Sequence, residues 1–245
     1  MPVLSEIDKI NAQFAKDLDK VLSSLETKVA AMVGGAKTSQ GAFDAAALLN
    51  SGAQLSALLA ESGYTALAEK HIAQYEIIAA KVIADFDAQD LPPPQFTTAN
   101  IQTLQQIAKS DMEQFQVIGT TAVESLKREL YQHAIATRGI DAMVESIRKA
   151  IGPDSVLSRY AYTYANTAIL QFAGQATIIA GESIGADEWY VIGPNDQVTR
   201  PACRHALGLG HRTKEAWIKY GYWGGTPGGW NCRHWMSPWF GDGKK

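Results

Sequence analysis

The chain has 245 residues, 46% of them hydrophobic and 19% charged, and a formal net charge of −3. These values are those of a soluble globular protein with room for one large domain or two smaller ones. Apolar stretches are broken by Asp, Glu, Gln or Lys too often for a spanning helix, and MPVLSEIDKI lacks the pattern of a signal peptide, so the expectation is a protein made in the cytoplasm with no membrane partner.

Ile7, Ile10, Phe14, Leu18, Val21, Leu25, Val29 and Met32 recur every three or four residues and draw one apolar stripe down a first helix. Ser5 is the expected cap, and Gly34-Gly35 the end. The stripe is narrow, so the helix is expected to pack on another chain or on a second copy of itself. Further helices are predicted over 40–60 and 64–88. LPPPQ, residues 91–95, reads as a stiff extended connector, because proline lacks a backbone donor and favours polyproline geometry.

A long helix is predicted over 98–137, with Ile101, Leu104, Ile107, Met112, Phe115, Ile118, Val123, Leu126 and Leu130 as its apolar set. Gly139 interrupts it, a short helix runs to Ile151, Gly152-Pro153 breaks the chain again, and 154–180 form one more helix. The alternation of Tyr160, Tyr162 and Tyr164 would suit a strand, but Ala161, Ala165, Ala168 and Leu170 continue a helical composition. Only Arg159 accompanies these tyrosines, so they read as packing residues rather than a base-stacking platform. His71 and His133 each stand alone on a predicted helix and read as ordinary surface or core histidines.

The texture changes after Gly185. All six tryptophans lie at or beyond Trp189, and ten of the 21 glycines lie from Gly193 onward. Trp189-Tyr190-Val191-Ile192 reads as a strand, closed by the turn signal Gly193-Pro194-Asn195-Asp196. The expected architecture is therefore mainly α: an elongated helical region over 1–183, followed by a small C-terminal α+β domain over 184–245, with the boundary near 181–187. Residues 196–245 hold eight basic and three acidic residues, a charge of +5 that leaves −8 for the rest. This asymmetry suggests weak contact with nucleic acid or an acidic surface, or simply a solvated loop-rich region.

The chemistry is concentrated in the same region. The two cysteines both occur in the tripeptide Cys-Arg-His: Cys203-Arg204-His205 and Cys232-Arg233-His234. In extended backbone, residues i and i+2 point to one side, so Cys203, His205, Cys232 and His234 offer four ligands suited to one structural zinc ion, with His211 a spare. A disulfide, a pair of buried unbonded thiols and a catalytic Cys/His pair are the competing readings. Asp196 and Arg200 are expected to pair across the turn, Asn231 to form a turn, and Arg233 to point away from Cys232 and His234.

Asp196-x-x-Thr199-Arg200-Pro201-x-Cys203, then Gly208, then Asn231-Cys232-Arg233-His234-x-x-x-Pro238, resembles the phage Mu protein F-like domain of minor head, or head morphogenesis, proteins. The resemblance spans roughly 154–240 and is strongest over 187–240. It departs from the family pattern at Ser158-Arg159-Tyr160-Ala161, where Arg-Thr-Glu is common, and at Gly228-Gly229-Trp230, where Pro-x-His is common. It implies a virion component present in few copies, associated with phage portal or capsid proteins and in contact with packaged DNA. A metal-dependent nuclease or transferase using the Cys/His cluster, and a non-specific DNA-binding module, are the alternatives.

Overall fold

The computed structural model describes residues 2–36, 44, 46–47, 50, 52–135, 140–224 and 226–241. Among these, helices dominate, and the sheet lies wholly beyond residue 187. The elements are α1 (Pro2–Gly35), a 3-10 turn (Gly52–Gln54) entering α2 (Leu55–Glu61), α3 (Tyr64–Asp87), α4 (Thr98–Ile135), α5 (Ile140–Ile151) and α6 (Val156–Ser183). Then come β1 (Glu188–Ile192), α7 (Pro201–Gly208), β2 (Arg212–Thr213), α8 (Lys214–Tyr220) and β3 (Trp235–Trp239). This is the mainly helical chain with a small C-terminal α+β part that composition leads one to expect. Of the helix expected over 40–60, the 3-10 turn and α2 form its end, and residues 40–43, 45, 48–49 and 51 lie outside the described residues, as does Gly139. The first helix starts earlier than Ser5, at Pro2, where a missing N–H costs nothing.

The chain forms two units: one of Met1–Asn11, His71–Asp111 and Thr163–Lys245, the other of Ala12–Lys70 and Met112–Tyr162. The division falls inside α1, α3, α4 and α6, and the boundary expected near 181–187 falls inside the first unit.

In the first unit, Val3, Ile7 and Ile10 of α1, Tyr75, Ile78, Val82 and Phe86 of α3, and Ile169, Phe172 and Ala173 of α6 share one core with Trp235 of β3. The sheet has the order β2-β1-β3, antiparallel throughout, with Ile192 opposite Trp235 and Glu188 opposite both Thr213 and Trp239. Trp189 and Val191 alternate inward on β1 and join Ile178, Ala206, Trp217 and Met236 in a second core. Trp217 Nε1 donates to the Trp189 carbonyl at 2.8 Å, so the indole is satisfied where it is buried. Helix α6 can approach the sheet only because residue 181 is glycine: a Cβ there would stand 2.5 Å from the Trp189 ring and 3.0 Å from Pro238. That contact makes α6 and the sheet one packing unit.

In the second unit, Phe14, Leu18, Leu22, Leu25, Val29 and Val33 form the buried face of α1. Phe14 lies against Phe115 of α4 with ring centroids 5.8 Å apart. Tyr64 donates its hydroxyl to the Phe115 carbonyl at 3.1 Å. Arg148 of α5 reaches Glu26 of α1 at 3.0 Å. The stripe of the first helix is therefore covered within this chain, not by another copy, and it uses Leu22 and Val33 where the repeat predicts Val21 and Met32.

Candidate metal centre

The strand β1 ends at Ile192, and its pairing with Trp235 lays the following turn alongside residues 232–234. Arg200 caps α7 with extended backbone, and Pro201 takes the first helical position, where its fixed φ suits the helix. Cys203 then lies in the first turn of α7, on the buried side, while His205 is exposed and meets the Tyr222 hydroxyl at 3.2 Å through Nδ1. From the other direction, Asn231 sits in the left-handed region (φ 56°) and leads into Cys232-Arg233-His234 just ahead of β3, with Cys232 and His234 buried and Arg233 partly exposed.

Three groups converge. Cys203 Sγ and Cys232 Sγ are 3.4 Å apart and unbonded, and Cys232 Sγ is 3.6 Å from His234 Nδ1. The three atoms lie within 4.8 Å of one another, and all three residues are buried. His234 Nε2 is 2.8 Å from the Pro194 carbonyl, which can only accept, so Nε2 carries the proton and Nδ1 presents its lone pair to the sulfurs. The Gly228 N–H donates to Cys232 Sγ at 3.2 Å. A Cβ at residue 228 would stand 2.6 Å from Cys203 Sγ and 3.1 Å from Cys232 Sγ, so only glycine lets the loop come this close.

Burial, and then the neighbouring Cys232 sulfur, push the Cys203 thiol up to about 11, with the Arg200 charge opposing. Burial likewise holds the His234 imidazole below its ordinary value, so it stays neutral.

The remaining motif residues brace this cluster. Arg233 Nη2 contacts both Asp196 oxygens, at 2.9 and 2.8 Å, and that guanidinium holds the Asp196 carboxyl below its ordinary range. Thr199 Oγ1 accepts from the Asp196 N–H at 2.8 Å and lies 2.9 Å from the Pro194 carbonyl. Arg200 donates to the carbonyls of Gly228 and Trp230. The expected Asp196–Arg200 pair does not form. Arg200 leaves the start of α7 towards the 226–231 loop, while Asp196 faces Arg233 across the β1–β3 edge. Asn231 is tied to α6 by Asn166 Nδ2 at 3.0 Å and Thr167 Oγ1 at 2.9 Å. Pro238 lies on β3 opposite Trp189.

Of the four expected ligands, Cys203, Cys232 and His234 come together and His205 does not. His211 stacks on Trp239 and lies 2.7 Å from Glu188, apart from the cluster. His71 and His133 are buried and belong to no such group among the described residues. Tyr164 packs, donating to Asp111 at 2.6 Å, whereas Tyr160 and Tyr162 are exposed rather than packed. Sequence reasoning missed Gly228, Asn166, Thr167 and the Pro194 carbonyl. The pair Gly228-Gly229 ahead of Asn231 was the available signal for the first; nothing in the sequence marks the two positions on α6.

No family model matches this chain, and no curated protein or solved structure shows significant similarity to it.

Proposed function

We propose that this chain is a structural minor head protein of a tailed bacteriophage, a virion component that acts at the portal or capsid in head assembly or DNA packaging rather than as an enzyme. The observation that carries the reading is the closure of the two motif blocks on one buried cluster. Asp196, Thr199, Arg200, Asn231 and Arg233 are spent on tying the 193–200 turn, α7 and the 226–234 loop to each other. The carboxylate the motif supplies, Asp196, is held by Arg233 instead of being free to take a proton, which favours a structural lock over an acid–base site.

Contact with packaged DNA has less in its favour. Arg200, Arg204, Arg212, Lys214 and Arg233 are engaged with carbonyls or carboxylates of this chain. No helix among the described residues is long and apolar enough to cross a membrane. The test is mass spectrometry of gradient-purified particles of the phage that encodes the chain, with native mass measurement of the chain mixed with its portal protein. Peptides at few copies per particle and a chain–portal complex are expected. Absence from both particles and portal complexes overturns the proposal.

A further inference from the structure

We propose that Cys203 Sγ, Cys232 Sγ and His234 Nδ1 bind one zinc ion, with a light-atom ligand from outside the triad, water in the simplest case, in the fourth position. This site stands independently of the head-protein reading. Tetrahedral zinc with Zn–S bonds of about 2.3 Å sets its sulfurs about 3.8 Å apart, and a nitrogen at about 2.0 Å lies about 3.5 Å from each sulfur. The observed separations of 3.4 Å between the sulfurs and 3.6 Å from Cys232 Sγ to His234 Nδ1 need adjustments of a few tenths of an ångström, while Cys203 Sγ and His234 Nδ1, which lie within 4.8 Å of each other, draw together on the ion. A disulfide would need the sulfurs at about 2.05 Å.

Three further features are those of a metal centre rather than of two idle thiols. The His234 tautomer is fixed by the Pro194 carbonyl, so the nitrogen facing the sulfurs is the one able to ligate, the usual support for a zinc-bound imidazole. The Gly228 N–H points at Cys232 Sγ, where it would stabilise a thiolate, and the absent side chain at 228 keeps the space beside both sulfurs clear. Finally, the segment 221–234 between α8 and β3 has no helix or strand among its described residues, and the Cys203–Cys232 contact joins it to α7 beside the Arg200 and Tyr222 hydrogen bonds. Short loop-rich segments of this kind are commonly held by a metal that replaces missing core. Two soft sulfurs and an imidazole select Zn²⁺ over Mg²⁺ or Ca²⁺. Zn²⁺ displaces the two thiol protons to solvent and forms two Zn–S bonds and one Zn–N bond, with no change of oxidation state.

His205 is excluded because it leaves the opposite side of α7, and no fourth Cys, His, Asp or Glu joins the group among the described residues. The test uses the full chain, produced with zinc in the medium and purified with reductant and without chelator. Elemental analysis should give about one zinc per chain, and X-ray absorption at the zinc edge should give two sulfur and two light scatterers. Cobalt titrated into metal-free protein should develop thiolate-to-metal charge-transfer bands. Cys203→Ser, Cys232→Ser and His234→Ala should lose the metal, whereas His205→Ala and His211→Ala should keep it. The proposal is overturned by sub-stoichiometric zinc without cobalt charge-transfer bands, by retention of zinc in Cys232→Ser, by its loss in His205→Ala, or by a Cys203–Cys232 disulfide that persists in reductant. The wild-type stoichiometry and cobalt spectrum decide the matter even where a ligand variant does not fold.

Discussion

His71 offers a test of the helical core with a sign and a size. It lies on α3 with 2% of its surface exposed, its Nε2 is 3.2 Å from the Ala165 carbonyl of α6, and its ring meets Tyr75 edge-on. Burial lowers the imidazole pKa from 6.5 to about 4, the carbonyl offsetting part of that effect. Between those values the unfolded chain binds a proton that the folded chain excludes. The stabilisation is therefore fully present above pH 6.5 and is lost as the pH falls to about 4. At about 1.4 kcal/mol per pH unit across that window, the loss amounts to about 3 kcal/mol. Asp85 and Asp111, whose carboxyls are raised by burial, act in the opposite sense at the acid end. The quantity to measure is consequently the difference between wild type and His71→Leu, followed by urea unfolding from pH 7 to pH 4. The wild-type advantage should shrink by about 3 kcal/mol on acidification, and the His71 ring should titrate far below 6.5 by NMR. Parallel pH profiles for the two proteins, or a ring titrating at its ordinary value, would refute the reasoning.

Leu22→Ala removes a side chain with 0% exposure from the buried face of α1. It should cost about 2–5 kcal/mol in urea unfolding, independent of protein concentration; a concentration-dependent loss would place the stripe at an interface between copies instead. Thr199→Val keeps the volume but removes the oxygen that serves the Asp196 N–H and the Pro194 carbonyl. Its expected cost is about 1–3 kcal/mol, and an unchanged thermal midpoint counts against the brace. Gly228→Ala puts a methyl group 2.6 Å from Cys203 Sγ. Overpacking of about 1–3 kcal/mol should appear in thermal unfolding, with the zinc content falling alongside, and normal stability with normal zinc would show that the loop does not pack as described.

The helices were legible because their apolar residues repeat with a helical period and their ends carry Gly and Pro. Helix α3 begins at Tyr64 and α4 at Thr98, the predicted starts. The strand β1 was legible as a β-branched and aromatic run between turn signals. The packing of α6 on the sheet was not, because it depends on Gly181 meeting Trp189 and Pro238, residues with no shared local pattern. A composition shift marks where residue types change; it does not mark where a core ends. Likewise, the narrow apolar stripe of α1 could not name its own cover, since Phe115 lies about a hundred residues away in sequence.

The two Cys-Arg-His tripeptides carry the sharpest lesson, since identical residues meet different backbones. Just ahead of β3, Cys232 and His234 share one side, as the i, i+2 alternation of a strand would place them, and Arg233 takes the other, where it finds Asp196. In α7 each residue turns about 100° from the last, so Cys203 and His205 diverge: the thiol goes to the cluster and the imidazole to Tyr222. Spacing alone treats the two copies as equivalent. Pro201 distinguishes them, because a proline two residues before Cys203 is well placed at a helix start, and a helix start there breaks the i, i+2 rule. That three rather than four of these side chains converge follows from that one residue.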